Sequence, residues 1–362
     1  PAPIGAFITA NIPQGTVQIN RTLNARQETK NYAFYAELDQ ELFEKWTLTL
    51  GARYDVEELE IKDDSFAFGT SIIPGLGPND PIIALGGITL NQLIAVNLPA
   101  ASLDDETDYS AFLPKAGLTY NFTDDLSLGF TAQRAYRAGG VQRNNATGVI
   151  NEFDPEFAWN YELALRSQWF DNRLTVNANV FYLDWTDQQV VVFGNPPINT
   201  LDFNTVNAGE SEVWGGELDI RARPIPQLDV FFTLGYADTE FTDFETNGQN
   251  FTGNEFGGAA DWSYALGGAY FFANGVEAHL DGSFTNNYFM DADNDPVTKA
   301  DSRFLLNGRL LYATDVWSLG VFGRNLLDEV YVNQRSLNAA EGVDVIRPGE
   351  PRVVGVQGNV KF

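Results

Sequence analysis

Across most of its length this chain alternates apolar and polar residues one for one. Trp46, Leu48, Leu50, Ala52, Tyr54 and Val56 interleave with Thr47, Thr49, Gly51, Arg53, Asp55 and Glu57. A strand sends these two sets to opposite faces, whereas a helix would mix them. The same period of two recurs within 126–133, 174–180, 216–223, 276–285 and 353–362. It predicts an all-β chain of about thirteen strands, at 30–39, 45–62, 107–122, 125–138, 156–168, 172–191, 203–224, 226–243, 258–272, 275–289, 300–312, 315–330 and 350–362. Residues 1–29 are expected to hold part of one more strand and a loop.

The connections alternate in length. Short ones fall at LFEK (42–45), TDD (123–125), FDN (170–172), PIPQ (224–227), ANG (273–275) and ATD (313–315). Long ones fall at about 63–106, 139–155, 192–202, 244–257, 290–299 and 331–349. Short turns on one side and long loops on the other are the layout of an antiparallel transmembrane barrel of the outer-membrane type, with the turns periplasmic. Aromatics collect near the short turns and chain end: Phe43, Trp46, Phe122, Trp169, Phe170, Phe271, Phe272, Tyr312, Trp317 and Phe362. Amphipathic rings at headgroup level give such a belt. A soluble β-sandwich or propeller also alternates, but its strands are usually shorter and its loops need not sort by length.

Composition agrees. No run of 18 apolar residues exists, so no helix is offered to a membrane. The mean hydropathy of −0.20 is that of a chain in which only alternate residues meet lipid. A formal charge of −27 repels phosphate and argues against nucleic-acid binding. There is no cysteine, hence no disulfide or thiolate metal site.

Five segments stand out in order: NYAFYAELDQELFEKWTLTLGARYD (31–55), PKAGLTYNFTDDLSLGFTAQRAYRAGG (114–140), DPEFAWNYELALRSQWFDNRLTVNANVFYLDWTDQQV (154–190), FGRNLLDEVYVNQ (322–334) and PRVVGVQGNVKF (351–362). Together they resemble the TonB-dependent receptors of Gram-negative outer membranes. The resemblance covers residues 30–362. It implies a twenty-two-stranded barrel plugged by an N-terminal domain, and uptake of ferric siderophore, cobalamin or sugar with energy relayed by TonB. It implies no enzyme activity and no cofactor. The chain starts at Pro1 without initiator Met, signal peptide, plug or TonB box, so the expectation is the C-terminal portion of such a barrel. TonB would be met through the missing N-terminal part, and lipid and lipopolysaccharide would surround the wall. A closed fourteen-stranded barrel or passive porin is the alternative.

Arg134, Arg137 and Arg143 gather where a strand reaches the long-loop side, around Gly139 and Gly140. Arginine binds carboxylate, phosphate or catecholate-type oxygens bidentately, which suits an anionic ferric chelate; pairing with lumenal carboxylates is the plainer role. Gln142, Trp185, Tyr288 and Arg335 complete the candidate ligand-binding set. His279, flanked by Glu277 and Asp281, is the only histidine. It reads as a polar lumen residue, and no Gly-x-Ser-x-Gly elbow accompanies it. Asp291, Asp293 and Asp295 share the first spacings of a calcium loop, but Pro296 and Ser302 stand where Gly and Glu are needed. A looser calcium site stays open, as does a solvated acidic loop. The apolar stretch 63–106 is expected to be a folded extracellular lid or a hairpin extending the barrel.

Overall fold

A computed structural model describes residues 18–70, 81–82, 88–89, 101–144, 149–193, 203–338 and 343–360. Thirteen strands form one sheet, each antiparallel to the next in chain order: β1 (Gln18–Leu42), β2 (Trp46–Thr70), β3 (Ala101–Thr123), β4 (Leu126–Arg137), β5 (Glu156–Trp169), β6 (Leu174–Thr186), β7 (Glu210–Ile225), β8 (Leu228–Asp243), β9 (Trp262–Phe271), β10 (Val276–Thr285), β11 (Arg303–Ala313), β12 (Trp317–Arg324) and β13 (Val353–Val360). β1 and β13 are its two edges.

The register carries the alternation from strand to strand. Leu38 lies opposite Leu50, and Leu50 opposite Ala116; one step along, Asp39, Thr49 and Gly117 line up on the other face. The apolar face is bare: Leu50 is 46 % exposed and Leu280 55 %. The polar face is laced together instead. Lys115 reaches Glu37 at 3.0 Å, Thr49 donates to Asp39 at 2.6 Å, and Asn307 donates to Asp281 at 2.9 Å. A wall with one face in hydrocarbon and one on a wet lumen needs this division.

Two belts of rings border the apolar face. Near the short turns, Trp46 meets Tyr120 at 4.7 Å, Tyr270 meets Phe272 at 4.6 Å, and Tyr312 meets Trp317 at 5.6 Å. Toward the long loops, Trp159, Tyr161, Tyr182 and Trp214 follow one another at 6.1, 6.3 and 4.3 Å, and Tyr236 meets Trp262 at 4.4 Å. Trp262 and Tyr270, on one strand, span the two levels. Eight steps at about 3.3 Å, tilted about 40°, give roughly 20 Å of depth, close to the apolar band of such barrels. Just beyond the upper belt, Asp184, Glu212 and Glu240 face one another across β6, β7 and β8. Like charges set directly opposite repel, so this row marks where the surface has left hydrocarbon for water.

Two of the short turns use left-handed backbone without glycine: Phe43 and Glu44 in one, Phe170, Asp171 and Asn172 in another, all at φ between 53° and 63°. The long-loop side carries small ribbons, including Gly140–Arg143 with Ile150–Phe153 and Gln189–Phe193 with Phe203–Asn207. The buried apolar cluster sits at this end, with Phe241 from the upper end of β8 and the rest from the segments beyond the wall: Val192, Ala208, Phe241, Phe244, Phe251 and Ala292.

Several strand ends differ from the sequence reading. The strand expected at 172–191 stops at Thr186, because Asp187 turns left-handed (φ 55°) and the chain departs into a ribbon. The strand expected at 315–330 stops at Arg324, where Asn325 does the same (φ 48°). Conversely, β2 and β3 run on into the expected loop 63–106, with Ser65 opposite Ala101. The rest of that segment, apart from the short pairing of Pro81–Ile82 with Ile88–Thr89, lies outside the described residues.

Candidate functional site

The long-loop end of the polar face gathers several of the candidate charged side chains. β4 ends there in the sequence Gln133 to Gly140. Its alternation sends Arg134 and Arg137, three residues apart, to opposite faces. Arg137 faces Glu156 across the β4–β5 ladder. Its Nε lies 2.9 Å from one carboxylate oxygen of Glu156 and an Nη donates to the other at 3.0 Å, a bidentate pair. The Glu156 side chain is 6 % exposed and that of Arg137 59 %, so the carboxylate is buried behind an open guanidinium. Glu156 also accepts from the Gln189 backbone N–H at 2.5 Å. Gln189 in turn donates to the carbonyls of Ala138 and Asp154. One carboxylate therefore ties together three long-loop segments. Gly139 is needed beside them, since a Cβ there would lie 2.4 Å from the Phe153 carbonyl.

Of the other candidates only Arg134 shares a cleft with Arg137. Arg134 lies over the Phe157 ring at 4.1 Å and donates to the Phe112 carbonyl at 3.5 Å. Gln142 accepts from the Thr205 backbone N–H at 2.6 Å, joining two ribbons. Arg143, expected at an open rim, is 7 % exposed and belongs to the loop interior. Trp185 sets its ring edge toward Phe256 at 6.3 Å. Tyr288 bridges to Ala300 and lies under the Arg303 guanidinium at 5.9 Å. The Arg335 backbone N–H donates to the Met290 sulfur at 2.7 Å. These last residues sit among other loops.

What the fold brings together is a cleft of about 760 Å³ lined by Arg134 and Arg137 and by Asn31, Arg53, Asp55 and Tyr136. It opens where the sheet splits: β3 pairs with β4 only as far as Lys115 opposite Gln133, yet continues beside β2 to Ala101. Arg53 was legible as a polar-face residue in the sequence but not as a site residue. Tyr136 carries no signal of its own there.

His279 belongs to the polar face nearer the short turns, 3.1 Å from an Arg309 Nη and 3.4 Å from Glu277. It lines a separate concavity of about 950 Å³ with Asp219, Arg221, Arg223 and Asp229. In the loop at 286–302, burial pushes the Asp291 carboxyl up to about 6, with the charge of Asp293 adding to the effect. Asp295 spends one carboxylate oxygen on the Val297 N–H at 2.8 Å. Among the described residues, no three His, Cys, Asp or Glu side chains gather to hold a metal ion.

Residues 5–326 match the family model described as TonB dependent receptor-like, β-barrel. The chain belongs to the TonB-dependent receptors. This family comprises outer-membrane β-barrels that act as transporters, not enzymes. The metal-pseudopaline receptor CntO of Pseudomonas aeruginosa is 26 % identical over 251 residues, covering 67 % of this chain and 32 % of its own length. The fold matches the ferric yersiniabactin uptake receptor FyuA of Yersinia pestis, with a TM-score of 0.72 at 18 % identity over 94 % of this chain and 47 % of that one. It also matches the copper transporter OprC, with a TM-score of 0.65 at 14 % identity over 93 % and 48 %. This receptor chain thus spans about a third of the curated relative and about half of the solved structures.

Proposed function

We propose that the full-length receptor imports a metal chelate, most naturally an anionic ferric siderophore, across the outer membrane of a Gram-negative bacterium. TonB supplies the energy through the N-terminal part of the protein, and lipid with lipopolysaccharide surrounds the wall. The observation that carries this reading is the Arg137 guanidinium, held by buried Glu156 and open to a cleft on the lumen face. A cation so placed meets anionic oxygens with its geometry already set. A neutral oligosaccharide offers no charge to it, and cobalamin offers only its single phosphodiester. A second reading, import of another metal in chelated form, is favoured by the likeness to a metal-pseudopaline receptor. Growth of a deletion strain under iron limitation tests the first reading. Rescue by the gene with an anionic ferric chelate is the expected result. Rescue confined to limitation for another metal supports the second.

A further inference from the structure

The cleft contains a second arginine built in the same way as Arg137. Arg53, on β2, gives its Nε to one oxygen of Asp55 at 2.5 Å and an Nη to the other at 2.7 Å. The Asp55 side chain is 5 % exposed and that of Arg53 47 %. Both arginines are therefore clasped from behind by a buried carboxylate, and both line the same cleft. In each, Nε and one Nη serve the carboxylate, so the remaining Nη has no hydrogen-bond partner among the described residues. Tyr136 lines the same cleft, and its hydroxyl is buried and unpartnered among the described residues. A buried polar atom without a partner is costly, and such an atom in a native protein calls for a water or a ligand to satisfy it. The nearby Glu57 carboxylate is engaged by the Asn31 side chain at 3.3 Å.

We infer that Arg53 and Arg137 form a two-point clamp for a cargo carrying at least two separated anionic oxygens, with the Tyr136 hydroxyl as a third contact. This rests on the import reading above and narrows its cargo to carboxylate- or catecholate-bearing chelates. The buried carboxylates matter because they fix each guanidinium before the cargo arrives, so little side-chain freedom is lost on binding. They also leave the outward surface of each pair cationic. A neutral hydroxamate chelate or a neutral sugar would leave both Nη groups without a charged partner, and cobalamin, with its single phosphodiester, would engage one of them only. The two clasps stand on separate strands, β2 and the end of β4, on either side of the split in the sheet. A cargo with a single anionic group would engage one of them only.

The test uses the full-length receptor with Arg53→Gln, Arg137→Gln, the double variant and Tyr136→Phe. Binding of ferric citrate, a ferric tris-catecholate and a neutral ferric tris-hydroxamate is followed by tryptophan quenching. For an anionic chelate, each single Arg variant should bind roughly ten- to a hundredfold more weakly, and the double variant more weakly still. Tyr136→Phe should weaken binding less, and neutral-chelate binding should not change in any variant. Heat-modifiable migration confirms that each barrel has folded. Arg53→Lys, which keeps charge without the fork, replaces Arg53→Gln if the latter does not fold, and should also weaken binding. Equal affinity of the parent and double variant for every anionic probe overturns the clamp, as does a parent that binds only the neutral probe. TonB-dependent import that persists in either case shows that the clamp alone has failed.

Discussion

Asn294 clasps Glu255 with two hydrogen bonds: its Oδ1 accepts from the Glu255 backbone N–H at 2.8 Å, and its Nδ2 donates to the Glu255 carbonyl at 2.9 Å. The clasp joins the loop after β8 to the loop after β10 over the buried cluster of Phe241, Phe244 and Phe251. Asn294→Ala leaves both Glu255 backbone groups unpaired, at a cost of about 1–3 kcal/mol each if they stay buried. Hydrogen exchange should therefore quicken across 251–258 and 290–298 while the wall strands keep their protection.

Phe241 is 2 % exposed at the centre of that cluster. Phe241→Ala should cost about 3–5 kcal/mol of local stability through the cavity it leaves. Limited proteolysis should then cut in 244–257 at protease levels that spare the parent, with the barrel still resistant.

Asp291 gives this loop layer a pH dependence. Its carboxyl titrates near 6 in the folded protein, against 3.8 for the ordinary group. The folded state therefore holds its proton more tightly than the unfolded loop does. The stabilisation is complete below about pH 4 and is lost as pH rises through about 6. Protease resistance of 286–302 should fall between pH 4.5 and 7, and Asp291→Asn should flatten that fall.

Leu50 and Thr49 are neighbours on opposite faces of β2. Leu50→Arg should destabilise by about 2–4 kcal/mol near the middle of the apolar band. Thr49→Arg should cost less, since it enters a wet, acidic face beside Asp39. Refolding yields into lipid vesicles compare the two, and equal losses would contradict the assigned faces.

These faces were readable from the chain alone, because a period of two needs no partner strand to be recognised. The strand ends were less so. Leu183, Asp184, Trp185 and Thr186 still alternate up to Asp187, and only the left-handed φ at that position shows that β6 has ended. The upper aromatic belt was missed for a related reason. Tyr182 and Trp214 sit within their strands, and cross-strand register alone puts them side by side. The site was legible in part. Arg137 was singled out, but its pairing with Glu156 is nineteen residues distant in sequence. Arg53 lies farther still, and the cleft joining the two exists only because β4 parts from β3.

Orientation is tested at the turn of the ribbon Glu245–Thr246 and Gln249–Asn250, where Asn247 and Gly248 are both left-handed. An epitope inserted between them in the full-length receptor should be labelled on intact cells. Labelling only after the outer membrane is permeabilised would reverse the topology.

The most direct measurement is uptake of radiolabelled iron, supplied as an anionic ferric chelate, by cells producing the full-length receptor with and without functional TonB. Accumulation that requires both the receptor and TonB is the predicted result. Receptor-dependent accumulation that continues undiminished without TonB is the behaviour of a passive pore, and would contradict the account.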